Sequence, residues 1–116
     1  MKYKLLVLDV DGTLLNDAKE ISKRTLASLL KVQQMGIRVA LASGRPTYGL
    51  MPLAKTLELG NYGGFIISYN GGQIINAQNG EILFERRINP EMLPYLEKKA
   101  RKNNFAIFIY NLILDI

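Results

Sequence analysis

The sequence predicts an α/β fold built on a doubly wound parallel sheet, and three observations carry that expectation. Apolar, β-branched segments alternate with segments of helical periodicity. The first three apolar segments, residues 4–9, 37–42 and 64–69, are nearly continuous, as strands covered on both faces of a parallel sheet are. Each of the three then gives way to a polar residue and glycine: Asp9 with Asp11-Gly12, Ser43-Gly44, and Asn70-Gly71-Gly72.

The elements follow in order. Residues 4–9 form the first strand. Residues 22–35 form a helix, with Leu26, Leu29, Leu30 and Val32 at helical spacing, Ser22 as cap and Gly36 just past its end. The second strand covers 37–42 and a second helix 46–59, whose beginning Gly49 and Pro52 weaken. After the third strand, 73–76 and 81–85 read as a hairpin across Ala77-Gln78-Asn79-Gly80. A third helix spans 90–102, capped by Asn89 with Pro90 at its first position, and 105–110 reads as a further strand. The alternation changes near Arg86, which divides the chain into a partial core, 1–86, and the beginning of a second module, 87–116.

Composition narrows the chemistry. The 116 residues suffice for one small domain, and 48% hydrophobic with 22% charged residues is globular composition. Cysteine and histidine are both absent, which excludes disulfides, thiolate metal sites and histidine general bases. The net charge of +5 is scattered, apart from Lys98-Lys99 and Arg101-Lys102 on the third helix, so a solvated helix face is expected rather than a nucleic-acid partner. The N-terminal apolar run reaches an Asp too soon for a signal peptide, and no stretch approaches the ~20 apolar residues of a membrane span. A cytoplasmic protein without membrane partners is expected.

In a parallel sheet the carboxyl ends of the strands share one edge, and ligands bind just outside it. Strands stand ~4.8 Å apart, so three such ends can surround one small group. Glycines there let backbone N–H groups approach an anion. Asp9 and Asp11 lie two positions apart, on one side of an extended chain, and repel unless a cation joins them or one is protonated. A hard ion such as Mg²⁺ suits such oxygen ligands. With no histidine available, a carboxylate facing Mg²⁺ and a phosphoryl group can itself attack phosphorus, while the second acid protonates the leaving oxygen and later activates water. The alternative, two capping or turn aspartates, is disfavoured because the acids end a buried strand and Ser43 and Asn70 end its neighbours.

Asp9-Val10-Asp11-Gly12-Thr13-Leu14-Leu15 resembles the first motif of the haloacid dehalogenase superfamily of phosphohydrolases, and Leu41-Ala42-Ser43-Gly44-Arg45 resembles its second. The Ser-Gly-Arg form, with Asn70-Gly71-Gly72 after the third strand, resembles the Cof-type sugar-phosphatase branch. The resemblance implies Asp9 as nucleophile and metal ligand, and Asp11 as acid/base that also offers its backbone carbonyl to Mg²⁺. It implies Ser43 as donor to phosphoryl oxygens, Gly12 and Thr13 as phosphate-binding residues that shape the loop carrying Asp11, and Gly44, Arg45, Asn70 and Gly71 near the phosphate or leaving group. The implied substrate is a small phosphorylated metabolite such as a sugar phosphate. In the family a cap follows the third strand, and residues 89–116 would begin it.

The family's third motif, a lysine, and fourth, a Gly-Asp…Asp group, follow the cap and find no match in these residues. The expectation is therefore an N-terminal part of a phosphatase, weakly active or inactive alone, with residues 4–9 as an exposed sheet edge and 105–116 short of partners. Two alternatives stand beside it: a non-catalytic phosphoacceptor or Mg²⁺-binding module, and a fragment that forms homo-oligomers through its exposed strand edges.

Overall fold

A computed structural model describes residues 2–110. The chain divides into two compact units, Met1–Arg86 and Arg87–Ile116.

The first unit is built on a five-stranded mixed sheet: β1 (Leu5–Asp9), β2 (Arg38–Ala42), β3 (Phe65–Ser68), β4 (Gln73–Asn76) and β5 (Ile82–Glu85). Its strands lie side by side in chain order, β1-β2-β3-β4-β5. The first three are parallel, with Asp9 opposite Ala42 and Ala42 opposite Ile67, so their carboxyl ends form one edge. The β4 strand returns antiparallel to β3, and β5 antiparallel to β4 with a register shift after Ile74. Sequence patterning finds the β4–β5 hairpin but not the antiparallel pairing of β3 with β4. A three-residue helical turn, Tyr69–Gly71, reverses the chain there, with Tyr69, Asn70 and Gly71 all at positive φ.

Two helices supply the crossovers. In α1 (Lys23–Gln34) the Ser22 side chain accepts from the Thr25 N–H at 3.1 Å, and Gly36 follows at φ +95°. In α2 (Thr47–Thr56) Pro46 precedes the first turn and Pro52 lies within the helix. Right-handed connections between strands laid in order return each helix to the same side of the sheet. Consistent with this, the core cluster joins Leu29 of α1 and Leu50, Ala54 and Leu57 around α2 to Val39, Leu41 and Ile66 of the sheet. The Gln33 amide at the end of α1 donates to the Leu57 carbonyl at 2.8 Å, tying the two helix ends together. On the other sheet face Leu5 and Val7 are about half exposed (48% and 50%), while Phe65, Ile67 and Ile74 are half-buried. As expected of the edge position, β1 pairs with β2 alone among the described residues.

The second unit holds α3 (Leu93–Lys102), preceded by a single turn at Pro90–Met92 in which the Asn89 side chain accepts from the Glu91 N–H at 3.0 Å. The predicted 90–102 helix is thus split, because Pro94 brings a second ring without an N–H into the first turn. Lys98, Lys99, Arg101 and Lys102 are exposed. The strand expected over 105–110 is absent: these residues have no regular structure, and Phe105 and Phe108 are exposed. A strand exists only through a ladder partner, and among the described residues 105–110 has none. The rest of that apolar run, 111–116, lies outside the described residues.

Candidate functional site

The site grows from the ends of β1, β2 and β3. Strand β1 stops at Asp9, and the chain enters a wide turn over Val10–Leu14, closed by the Leu15 N–H donating to the Val10 carbonyl at 3.0 Å. Val10, Leu14 and Leu15 are buried and anchor the turn. Gly12 at its middle has φ +79°, a conformation that a side chain disfavours. Asp11 lies just past β1 with its own backbone extended (φ −71°, ψ 126°), and Gly12 turns the chain after it.

The two acids have different surroundings. Thr13 donates its hydroxyl to Asp9 Oδ2 at 3.1 Å. Asp11 faces Arg45, whose Nε and Nη2 reach its two carboxylate oxygens at 2.9 and 2.7 Å, and Lys19 Nζ stands 3.7 Å away. The Arg45 fork holds the Asp11 carboxyl below its ordinary value, with weaker help from Lys19. A bidentate guanidinium–carboxylate pair is the strong, geometrically defined kind. The negative charge of Asp11 is thus balanced by Arg45 and Lys19.

The Ser43–Pro46 loop carries Arg45 to this place. Ser43 Oγ accepts from the Arg45 N–H at 3.0 Å, which leaves its own proton for an incoming acceptor. Three main-chain bonds tie this loop to the end of β3: Ser43 N–H to Ile67, Asn70 N–H to Ser43 and Tyr69 N–H to Arg45, each within 3.0 Å. Gly44 lies under Asn70, close enough that a Cβ there would sit 2.9 Å from Asn70 Oδ1. Gly71, at φ +91°, completes the turn.

The structure thus gathers Asp9, Asp11, Gly12 and Thr13 in one turn, and Ser43, Gly44, Arg45, Asn70 and Gly71 in two loops pinned to each other. Arg45 bridges the two groups. Thr13, beside the nucleophile candidate, bonds the Asp9 carboxylate. Sequence reasoning missed Lys19 and the Arg45–Asp11 pair. A signal for Lys19 was present: Asn16 Oδ1 accepts from the Ala18 and Glu20 N–H groups, an Asx-type turn that places Lys19 at φ +61°. Nothing in the sequence spacing shows that Arg45 would reach 34 residues back to Asp11.

A hard divalent cation suits the oxygen donors here. Asp9 offers a carboxylate. The Asp11 carboxylate is already paired with Arg45, so in this arrangement Asp11 would serve a metal through its backbone carbonyl. Among the described residues no three acidic, histidine or cysteine side chains form a metal-holding group.

A sequence model described as haloacid dehalogenase-like hydrolase matches residues 6–113. A Streptococcus pyogenes (serotype M6) protein provisionally named a phosphatase is 37% identical over 110 residues, which cover 95% of this chain and 40% of that protein. The 5-amino-6-(5-phospho-D-ribitylamino)uracil phosphatase of Bacillus subtilis is 35% identical over 107 residues, 89% of this chain and 41% of that protein. Among solved structures, a haloacid dehalogenase-like hydrolase from Bacteroides thetaiotaomicron superposes with a TM-score of 0.81 at 53% identity, covering 89% of this chain and 39% of that one. The chain spans about 40% of the length of the curated relatives it matches.

Proposed function

Because this chain belongs to the haloacid dehalogenase-like hydrolase family, we propose that it supplies the nucleophile half of a Mg²⁺-dependent phosphomonoester hydrolase acting on small phosphorylated metabolites in the cytoplasm. The carrying observation is the placement of the Asp9 carboxylate at the end of β1, with Thr13 bonded to Oδ2 and Oδ1 left for attack. In the proposed reaction Asp9 Oδ1 bonds to phosphorus as the ester P–O bond breaks. Asp11 gives its proton to the departing alkoxide oxygen. Asp11 then takes a proton from water as that water attacks the aspartyl phosphate, which frees Asp9 and releases inorganic phosphate. Asp11 must leave the Arg45 fork to carry that proton. The Asp9 carboxylate and the Asp11 backbone carbonyl would hold Mg²⁺, which when bound offsets phosphoryl charge. Ser43, Gly44, Gly12 and Thr13 shape the phosphate side, and Arg45, Asn70 and Gly71 the side of the leaving group.

The substrate class is favoured by the Bacillus subtilis relative, whose name specifies a phosphorylated ribityl compound. In this reading residues 1–86 are part of the catalytic core, residues 87–116 begin a cap, and the remaining charge-neutralising groups lie outside these 116 residues. The test is p-nitrophenyl phosphate hydrolysis with MgCl₂, by this chain and by a version extended to carry the third and fourth motifs. The extended protein is expected to turn over and to lose activity with Asp9→Asn, while the 116-residue chain shows little. Robust turnover by the short chain, lost with Asp9→Asn, would sink the claim that half the site is elsewhere.

One observation favours a second reading. With Asp11 held by Arg45, an acyl phosphate on Asp9 would lack its water-activating base and persist, as in a phosphoacceptor module. Acetyl phosphate labelling of Asp9 that lasts for minutes would support it, and rapid phosphate release would exclude it.

A further inference from the structure

Resting on that reading of the carboxyl edge, we propose that Thr47, Ser68, Gln73 and Glu85 are positioning residues that set the Ser43–Pro46 loop for its phosphate contact. Four elements each contribute one of them: α2, β3, β4 and β5. Ser68 is fully buried and Gln73 nearly so, on the sheet face that otherwise buries Leu41, Ile66 and Ile75. A buried hydroxyl or amide is costly unless it is bonded, and these are bonded to one another.

The direction of the chain follows from proton counting. The Gln73 Oε1 atom can only accept, so the single Thr47 hydroxyl proton goes to it. Ser68 Oγ, 2.6 Å from Thr47 Oγ1, must then donate to Thr47. The Gln73 amide N–H donates in turn to Glu85 Oε1 at 2.9 Å. Every hydrogen bond has one allowed direction, and such a connected run fixes the orientation of its members more firmly than isolated pairs do.

Its two upper members grip the candidate site from both sides. Thr47 follows Arg45 by two residues, and Ser68 immediately precedes Tyr69, whose N–H holds the Arg45 carbonyl at 2.9 Å. Strand β5 carries the far end, and the Arg86 N–H at its close donates to the Gly72 carbonyl at 2.8 Å. The run therefore braces the loop bearing Ser43 and Arg45 against the turn bearing Asn70 and Gly71. An aliphatic set would fill the same space but would leave the loop without a directional anchor.

The test is titration of the full 116-residue chain with inorganic phosphate in MgCl₂, followed through the Ser43, Gly44 and Arg45 amide resonances. Thr47→Val and Gln73→Met are expected to weaken phosphate binding about tenfold, while Thr47→Ser, which keeps the hydroxyl, stays within about twofold of the parent. Leu29→Ala, a core change matched for loss of Tm, is expected to bind like the parent. A merely structural role would make Thr47→Val behave as Leu29→Ala does, and that result would overturn the positioning inference alone. Parent protein whose loop amides ignore phosphate would overturn this inference, whereas the phosphatase reading stands or falls separately on p-nitrophenyl phosphate turnover by the extended protein.

Discussion

Two carboxylates two positions apart repel each other, and Arg45 settles the matter for one of them by enclosing Asp11 from 34 residues away. The cause of the lowered Asp11 pKa is first that hydrogen-bonded fork, then the charges of Arg45 and Lys19. A carboxyl whose pKa falls on folding contributes stability that is present above its ordinary value of 3.8 and is lost as pH drops through the lowered folded value. Arg45→Gln removes the main cause. Thermal melts should therefore show the variant below the parent at about pH 6, with the gap closing toward about pH 2. A gap that stays constant over that span would mean Arg45 stabilises the loop through packing rather than through Asp11. Asp9 shows the limit of sequence reasoning at this scale. Its place at a strand end was readable from LLVLDVDGT, but its bond from Thr13 and the fork on Asp11 were not foreseen. Side-chain partners depend on which loops meet, and spacing along the chain does not encode that.

Most strand and helix positions were legible because burial leaves a periodic mark. Strands β1, β2 and β3 differ from their expected spans only at the ends, and Ser22 caps α1 as its sequence suggests. Pairing was less legible. Residues 73–76 were assigned to a hairpin with 81–85, yet β4 also pairs with β3, because three consecutive residues in left-handed backbone make the reversal at Tyr69–Gly71. Only one of those three is a glycine, so the usual signal was weak. The 105–110 run failed differently: its apolar, β-branched content satisfies strand propensity, but propensity describes fitness for a ladder and cannot supply the neighbour. Gly64 offers a test of close approach between elements. A Cβ there would lie 2.5 Å from the Val39 carbonyl oxygen and 3.1 Å from Leu59 Cβ, where β3 begins beside β2. Gly64→Ala should cost about 1–3 kcal/mol in urea denaturation. An unchanged midpoint and slope would show that β2 and β3 can separate there without loss.

At the scale of the first unit, both crossover helices cover one sheet face, and Leu5 and Val7 lie half exposed on the other beside an open β1 edge. Long apolar edges template pairing with other chains. We expect this chain to self-associate as its concentration rises, and Val7→Lys, which puts a charge on that face, to shift it toward monomer in size-exclusion chromatography. Parent protein that elutes as a compact monomer at every concentration would remove the oligomerisation alternative.

The order of the strands has a consequence for how this unit comes into being. Each strand is a neighbour of the strand made just before it, from β1 through β5. No strand must wait for a later one to be inserted between two that already exist. During synthesis the sheet can grow from one side, a strand at a time, so that the ribosome's own schedule matches the assembly path. The Asp9 turn is translated first, Ser43 and Arg45 reach it with the second strand, and the β3–β4 turn closes over them with the third and fourth. The candidate site would be assembled in the order in which its parts emerge.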